Sequence, residues 1–216
     1  MSSDPRNTLL YRVAHGSALP SIVERGILCR RVVLAERIDF QTISNEEIED
    51  RRSKTAVPCD PGGTLHDFVP FHFGWRSPMM YRISCRNLPE YIGGQRPLVY
   101  LVTTVGKIVD AGLRFVIADG HPIMALTDFF DELGRLDAVD LPLMRQGYWK
   151  DTAEDPDRER RRQAEFLVHE RVPWDLITEI GVMDAAIKRR VEDLLVEAAH
   201  RPAVAIRRSW YYDEKS

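Results

Sequence analysis

The chain has 216 residues, of which 44% are hydrophobic and 29% are charged, and its formal net charge at pH 7 is −3. This length and composition predict a single globular domain over residues 1–216. No apolar run approaches the roughly 18 residues that a membrane-spanning helix needs, and the beginning of the chain lacks the basic and then apolar layout of a secretory signal. We therefore expect a cytoplasmic protein with no membrane partner.

The absence of several well-known motifs limits the kinds of cofactor site that the chain can contain. The three cysteines, Cys29, Cys59 and Cys85, are odd in number and widely spaced, which disfavours both a disulfide framework and a CxxC site. The histidines show no HExxH spacing, so we predict no structural or catalytic metal. Neither GxGxxG nor GxxxxGK[ST] occurs, which excludes a Rossmann turn and a P-loop. A nucleotide would have to bind through another architecture.

The first half of the chain predicts short strands and helices. "LLYRVAH" (residues 9–15) predicts a strand that leads into a short helix, with Ser17 as its N-cap and Gly26 as its stop. Residues 29–59 turn polar, and "SNEEIEDRRSK" within them predicts a short helix or a mobile segment that covers a cleft. "DFVPFHF", "PMMYRIS" and "LVYLVTTV" follow as strand-like runs. Pro70 marks the first of these runs as an edge strand or a bulge.

The second half continues the same pattern. "VGKIVDAG" predicts a short helix that ends at Gly112, and "RFVIAD" predicts the next strand. Residues 120–155 form a long excursion, and such excursions in compact domains are usually functional loops. Asp155 and Pro156 predict the start of a short helix before the strand "QAEFLVH". The strand "EIGVMD", the helix "AAIKRRVEDLLVEAAH" and the strand "AVAIRR" complete an α+β domain.

Glu165 is a carboxylate inside the apolar strand "QAEFLVH", which follows a run of arginines. The two-residue period of a strand places it on the same face as Leu167 and opposite Phe166. A solvated glutamate is the commoner fate at such a position. On a cleft wall, however, a fixed carboxylate can accept a proton or stabilise a cationic transition state. The residues alone leave both readings open.

Four segments together resemble the DarT family of DNA ADP-ribosyltransferase toxins: "LLYRVAHGSALPSIVERGIL", "RRSKTAVPCDPGGTLHDFVPFHFGWRSPMMY", "ADGHPIMALTDFF" and "YWKDTAEDPDRERRRQAEFLVH". The resemblance implies an ADP-ribosyltransferase-like fold, in which a split β-sheet holds NAD in a central cleft. It also implies transfer of ADP-ribose from NAD onto a base of single-stranded DNA, typically thymine and in some branches guanine, with release of nicotinamide. A DarG-type macrodomain antitoxin is the implied protein partner.

The resemblance also assigns roles to single residues. Glu165 matches the catalytic glutamate, which would hold the ribose and take the proton from the attacking base nitrogen. Arg51 in "EDRRSK" resembles an arginine that assists proton abstraction and contacts NAD, and Arg52 is the alternative one position on. His15 matches an NAD-binding histidine. The other implied contacts are Ser17 and Leu19 with NAD, and Arg76, Met79, His121 and Arg162 with DNA.

The chain departs from the family pattern at two places. Ala14 and Ala18 stand where the family's T-H-x-x-N-L opening has threonine and asparagine, which leaves open the NAD contacts of those two positions. His72 in "VPFHF" replaces an aromatic residue, and this change can alter the choice of base. The excursion over residues 120–155 would be the substrate-recognition loop. The alternatives are the same fold acting on RNA or protein, removal of an RNA 2′-phosphate, and a catalytically silent binding module.

Overall fold

The computed structural model describes residues 4–213 of the chain. Within them the strands are β1 (Leu9–His15), β2 (Ile27–Leu28), β3 (Phe68–His72), β4 (Leu98–Thr104), β5 (Phe115–Ala118), β6 (Phe129–Phe130), β7 (Glu165–His169), β8 (Arg171–Val172), β9 (Glu179–Val182) and β10 (Ala203–Ile206). The α-helices are α1 (Leu19–Arg25), α2 (Arg30–Ala35), α3 (Glu46–Lys54), α4 (Pro78–Ser84), α5 (Val105–Asp110), α6 (Arg158–Arg161) and α7 (Ala185–Leu194). Across this described range, no helix is long and apolar enough to cross a membrane.

The centre of the fold is one eight-stranded sheet in the order β10-β9-β4-β1-β3-β7-β5-β6, and β2 pairs separately with β8. Neighbouring strands of the large sheet run antiparallel except β9 and β10, which are parallel. Helix α7 is the crossover that this parallel pair requires. The predicted α+β class is therefore confirmed.

The sheet is divided between β1 and β3. β1 pairs with β4 along its whole length, and β3 does the same with β7. Between β1 and β3, however, the ladder has a single pair, Tyr11 with His72. Arg12 bridges the opening, since its Nη1 donates to the carbonyl of Pro70 at 3.1 Å. The split sheet that the resemblance implied is therefore present.

Pro70 does not lie in an edge strand, and that prediction was wrong. β3 is an interior strand between β1 and β7. Pro70 is the register partner of Leu167, and its carbonyl accepts from Arg12. The polar backbone of Pro70 thus faces β1, where the ladder is open, and its missing N–H removes no sheet hydrogen bond.

The run "PMMYRIS" forms α4 instead of the predicted strand. Ser77 caps this helix, because its side chain accepts from the backbone N–H of Met80 at 3.3 Å, and Pro78 occupies the first turn. Met80 and Ile83 are buried three residues apart, which is helical spacing. The cap and the proline decide the conformation more strongly than the apolar composition.

Two helix starts also differ from the predictions. The helix expected to begin at Ser17 is preceded by a 3₁₀ turn (Gly16–Ala18), and His15 supplies the capping side chain. The helix expected from Asp155 and Pro156 begins later, at Arg158. The other predicted strands are present, the segment "SNEEIEDRRSK" takes the helical alternative as α3, and α1 stops at Gly26, where φ is 80°.

Candidate active site

A cleft of about 400 Å³ lies beside the split between β1 and β3. The strand residues in its lining include Arg12, Ala14 and His15 of β1, Phe68, Pro70 and His72 of β3, and Glu165 of β7. Phe71 and Phe166 point the other way, into the main core. Because side chains alternate along a strand, the burial of these two rings sends His72 and Glu165 into the cleft.

Three further parts of the chain contribute to the walls of the cleft. Residues 38–45 and helix α3 form one wall, so the polar segment predicted to cover a cleft does line one. Ser77, Pro78 and Met79 from the start of α4 form a second. His121, from the start of the long excursion, and Gln163, which lies between α6 and β7, line the cleft near Glu165.

Glu165 forms a buried ion pair with Arg52. Arg52 Nη1 lies 3.1 Å from both carboxylate oxygens, and Nη2 lies 3.1 Å from Oε2. The two residues are only 4% and 7% exposed, respectively. Arg52 lies on helix α3. Asn45 caps the start of this helix, because its side chain accepts from the backbone N–H of Ile48 at 3.2 Å. The carboxylate is therefore held in one orientation on the cleft floor.

The charges around Glu165 keep it ionised. Burial by itself raises the pKa of Glu165, but the positive charge of Arg52, with smaller effects from His72 and His121, outweighs burial and holds that pKa below its ordinary value of 4.5. Burial lowers the pKa of Arg12 to about 10, and neighbouring Arg52 acts in the same direction. Arg12 therefore stays charged at neutral pH. The floor thus combines one carboxylate with two guanidinium groups.

The two histidines near Glu165 are neutral at physiological pH. Burial lowers the pKa of His121 to about 4, and its Nδ1 is buried without a hydrogen-bond partner in the described chain. Burial also lowers the pKa of His72 from 6.5, although Glu165 acts in the opposite direction. A neutral imidazole both donates and accepts a hydrogen bond. Each ring can therefore contact a polar ligand in the cleft.

His15 has a fixed tautomer because of Ser17. The backbone N–H of Ser17 donates to His15 Nδ1 at 3.3 Å, and the Ser17 hydroxyl lies 2.7 Å from the same atom. Nδ1 is thus the acceptor, which leaves the proton on Nε2. Tyr91 packs edge-on against the ring with centroids 5.9 Å apart. The predicted NAD-binding histidine is present at the cleft, and Ser17 orients it without lining the cleft itself.

The predicted site residues separate into two groups. His15, Met79, His121 and Glu165 line the cleft. Leu19 does not, because its side chain is 1% exposed in the main core. The remaining predicted residues lie outside the lining: Ser17, Arg51, Arg76 and Arg162. Their contacts with NAD and DNA stay predictions.

Arg51 and Arg52 differ sharply although they are neighbours in α3. Arg51 is exposed, and its Nη2 donates to the carbonyl of Ile123 at 3.1 Å. Arg52, the alternative at the sequence level, is the one that holds Glu165. Residues one apart on a helix do not face the same way. The structure therefore brings Arg52 to the carboxylate and leaves Arg51 at the outer edge, beside the turn that carries His121.

Arg76 and Arg162 contact aromatic rings outside the cleft. The Arg76 guanidinium lies over the Tyr212 ring, 5.1 Å from its centroid. Arg162 is 4% exposed, donates to the carbonyl of Leu143 and lies 4.0 Å from the centroid of Trp149. Burial lowers the pKa of Arg162 to about 10. These arginines thus support aromatic surfaces near the excursion.

The excursion is fastened by the arginine run that precedes Glu165. Arg160 donates to both oxygens of Asp119, at 2.7 and 3.1 Å, and to Asp157 at 2.7 Å. The carbonyl of Arg160 accepts from the backbone N–H of His121 at 2.9 Å. Arg161 forms ion pairs with Asp140 and Asp155, each at 2.7 Å. The ends of the excursion are thereby tied to the start of β7.

Sequence reasoning missed Arg12 as a cleft residue. The available signal was its position, because a charged residue alternates with apolar neighbours in the strand "LLYRVAH". It also missed Arg30 and Phe40, which line the cleft and form a cation–π contact with the guanidinium carbon 4.6 Å from the ring centroid. No group of three or more metal-ligating side chains occurs in the part of the chain that the structure describes.

Comparison with known proteins decides the family. The family model described as "DarT: ssDNA thymidine ADP-ribosyltransferase, DarT" matches residues 11–212. The chain belongs to the DarT family. This confirms the enzyme class expected from the sequence, an NAD-dependent DNA ADP-ribosyltransferase.

Individual relatives agree with this membership. The DNA ADP-ribosyl transferase of Thermus aquaticus is 37% identical over 214 residues, which cover 98% of this chain and 92% of the relative. A relative from Thermosipho africanus is a DNA ADP-ribosyl transferase-DNA ADP-ribosyl glycohydrolase fusion protein, 27% identical over 183 residues that cover 83% of this chain and 44% of the fusion.

Solved DarT structures have the same fold. Thermus sp. 2.9 DarT in complex with ADP-ribosylated ssDNA aligns with a TM-score of 0.89 and 36% identity, covering 98% of this chain and 99% of that one. The same protein in complex with NAD+ aligns with a TM-score of 0.82 and 35% identity, covering 97% of this chain and 100% of that one. The ADP-ribosyltransferase-like fold is thus confirmed.

Proposed function

We propose that this DarT protein transfers ADP-ribose from NAD onto a thymine base of single-stranded DNA, with Glu165 as the catalytic carboxylate. The observation that carries the proposal is the position of Glu165, which is ionised on the cleft floor and held by Arg52. When bound, NAD supplies a ribose C1′ from which nicotinamide can leave. Positive charge then develops on the ribose, and a fixed carboxylate beside it stabilises that transition state more than the ground state.

The cleft residues fit a dinucleotide. Arg12 and Arg30 place guanidinium groups in the lining, and Arg30 Nε is buried without a hydrogen-bond partner among the described residues. Such groups suit a diphosphate. His15 offers its Nε2 proton to NAD, and Ser17 fixes the ring that does so. Any contact of Leu19 with NAD would be through its backbone, because the side chain is in the core.

We assign the DNA to the side of the cleft formed by the long excursion. His121 would contact the target base, since it lies near Glu165 and its Nδ1 has no partner in the described chain. Met79 would pack against the base inside the cleft. Arg76 and Arg162 would act next to the aromatic rings that they contact. Stacking and a few phosphate contacts need no strongly basic surface, which agrees with the net charge of −3.

We further propose that the chain is the toxin of a toxin–antitoxin pair. A DarG-type macrodomain that removes ADP-ribose from DNA would be its partner. The support is the Thermosipho africanus relative, which joins a transferase and a glycohydrolase in one protein. A transferase that modifies DNA bases would be harmful without such a reversal.

Intact mass spectrometry of oligonucleotides tests the activity. Single-stranded DNA, duplex DNA and RNA of matched sequence are incubated with NAD and the protein, and each DNA is repeated with thymine replaced. We expect a gain of one ADP-ribose unit on single-stranded DNA that contains thymine. Glu165→Gln, which keeps the size of the side chain and removes its charge, should abolish the gain. A product that persists in this variant would refute the role of Glu165.

A further inference from the structure

The loop that follows helix α4 contacts several parts of the cleft. It connects α4 to β4, and its residue Leu88 lines the cleft. Tyr91 packs edge-on against His15, the predicted NAD-binding histidine. Glu90, which lies between these two residues in the sequence, makes its hydrogen bonds with the start of helix α3. The loop therefore joins the wall that begins α4 to the wall that carries Arg52.

One carboxylate oxygen of Glu90 holds two groups at the start of α3. Its Oε1 accepts from the side-chain Nδ2 of Asn45 at 2.9 Å and from the backbone N–H of Glu46 at 3.1 Å. The first bond turns the nitrogen of the Asn45 amide towards the carboxylate, so the amide oxygen faces the N–H of Ile48 that it caps. A negative charge also suits this end of the helix, where the helix dipole is positive. Glu90 thus fixes the cap of α3.

The start of α3 needs such a tie because an irregular segment leads into it. Residues 38–44 contain no helix or strand. The other end of α3 is held by the backbone, since the carbonyl of Thr55 accepts a hydrogen bond at 3.1 Å from the residue that begins the turn before β3. Arg52 lies about two turns after the cap, roughly 10 Å along the axis. A helix moves as a rigid element, so a shift at its start displaces the Arg52 guanidinium from Glu165.

We propose that Glu90 is a positioning residue for the transfer reaction, an assignment that rests on the proposed function. Glu90 does not line the cleft itself, so it acts through Asn45 and helix α3. By fixing this helix it keeps the guanidinium of Arg52 on both carboxylate oxygens of Glu165. A carboxylate that is already held in place needs no rearrangement when positive charge develops on the ribose, and this preorganisation lowers the barrier.

Single-turnover DNA modification by Glu90→Ala tests the proposal, with Asp184→Ala as the matched control. Asp184 stabilises the start of α7 with comparable bonds, since it accepts from two backbone N–H groups at 2.9 and 3.0 Å, and it lies outside the cleft lining. We expect Glu90→Ala to lower the rate at saturating NAD about tenfold and to change the half-saturating NAD concentration less. Glu90→Gln keeps the acceptor oxygen and should recover most of the rate. Asp184→Ala should lower Tm and, below that temperature, keep the wild-type rate.

The fall of the rate in acid separates positioning from stability. Burial raises the pKa of Glu165, and the charge of Arg52 outweighs it. The other charged or titratable groups that face this carboxylate are Arg12, His72 and His121. Displacing Arg52 would raise the pKa of Glu165, so the acid limb of Glu90→Ala should move to higher pH while that of Asp184→Ala stays in place.

Two results would overturn the assignment of Glu90. One is a Glu90→Ala variant that keeps the wild-type rate or the wild-type acid limb. The other is an equal loss of rate in Glu90→Ala and Asp184→Ala when both are measured below their melting temperatures. A wild-type protein that modifies no oligonucleotide would instead overturn the proposed function, and with it this assignment.

Discussion

Replacing Arg52 by alanine is the sharpest test of the site's electrostatics. Glu165 then keeps its charge in a place where it is 4% exposed, without the guanidinium that holds both of its oxygens. Arg51→Ala is the matched control, because it removes the same side chain one residue away. Arg51 is exposed and has one hydrogen bond to a backbone carbonyl. Both variants therefore remove one guanidinium group, and they differ only in the position from which it is removed.

The expected magnitudes follow from burial. Breaking a buried ion pair on one side costs about 3–5 kcal/mol, and we take the lower end because the pair borders a cleft that water can enter. At about 2–4 °C per kcal/mol for a chain of this size, Arg52→Ala should lower Tm by about 6–12 °C. Loss of the exposed Arg51 should cost at most about 1 kcal/mol. Misorientation of Glu165 should also slow DNA modification by about 100-fold in Arg52→Ala.

Thermal melting and single-turnover DNA modification are measured for both variants at neutral pH. Modification is compared below the lower of the two melting temperatures, so that unfolding does not contribute. If Arg51→Ala is the variant that loses Tm and rate while Arg52→Ala resembles the wild type, the reasoning from burial is refuted. The alignment that assigned the catalytic role to Arg51 would then be right.

Two further predictions concern the excursion and the acid range. Arg160→Ala should cost about 3 kcal/mol, because it leaves Asp119 without its cationic partner and Asp157 with only the more distant Arg161, and should impair DNA modification more than NAD binding. Lys188→Ala, which removes an exposed ion pair in α7, is the control, and equal losses in both variants would contradict the prediction. The pKa of Glu165 is lower in the folded than in the unfolded state, so its contribution to stability is present above about pH 4.5 and is lost as the pH falls through the folded pKa. Urea titrations of wild type and Glu165→Gln should therefore converge in acid, and a constant difference down to pH 3 would contradict this.

Local sequence determined most of the elements and the face on which Glu165 lies. Alternation in "QAEFLVH" separates Glu165 from Phe166 whatever the rest of the fold does, because the period of a strand is fixed by its backbone. Gly26 and Gly112 ended helices where expected, since glycine readily adopts the positive φ found at both positions. The long motifs that resemble the DarT family gave the enzyme class, which the family match confirms.

The tertiary structure decided which groups meet. Arg51 and Arg52 are alike in type and adjacent in sequence, and only the docking of α3 over the cleft places Arg52 on Glu165. His72 appeared as a departure from a motif, and strand order with register places it beside the carboxylate. Pro70 lies in an interior strand because the sheet splits at its side. Such pairings join segments far apart in the chain, and a local pattern carries no information about which distant partner a side chain will face.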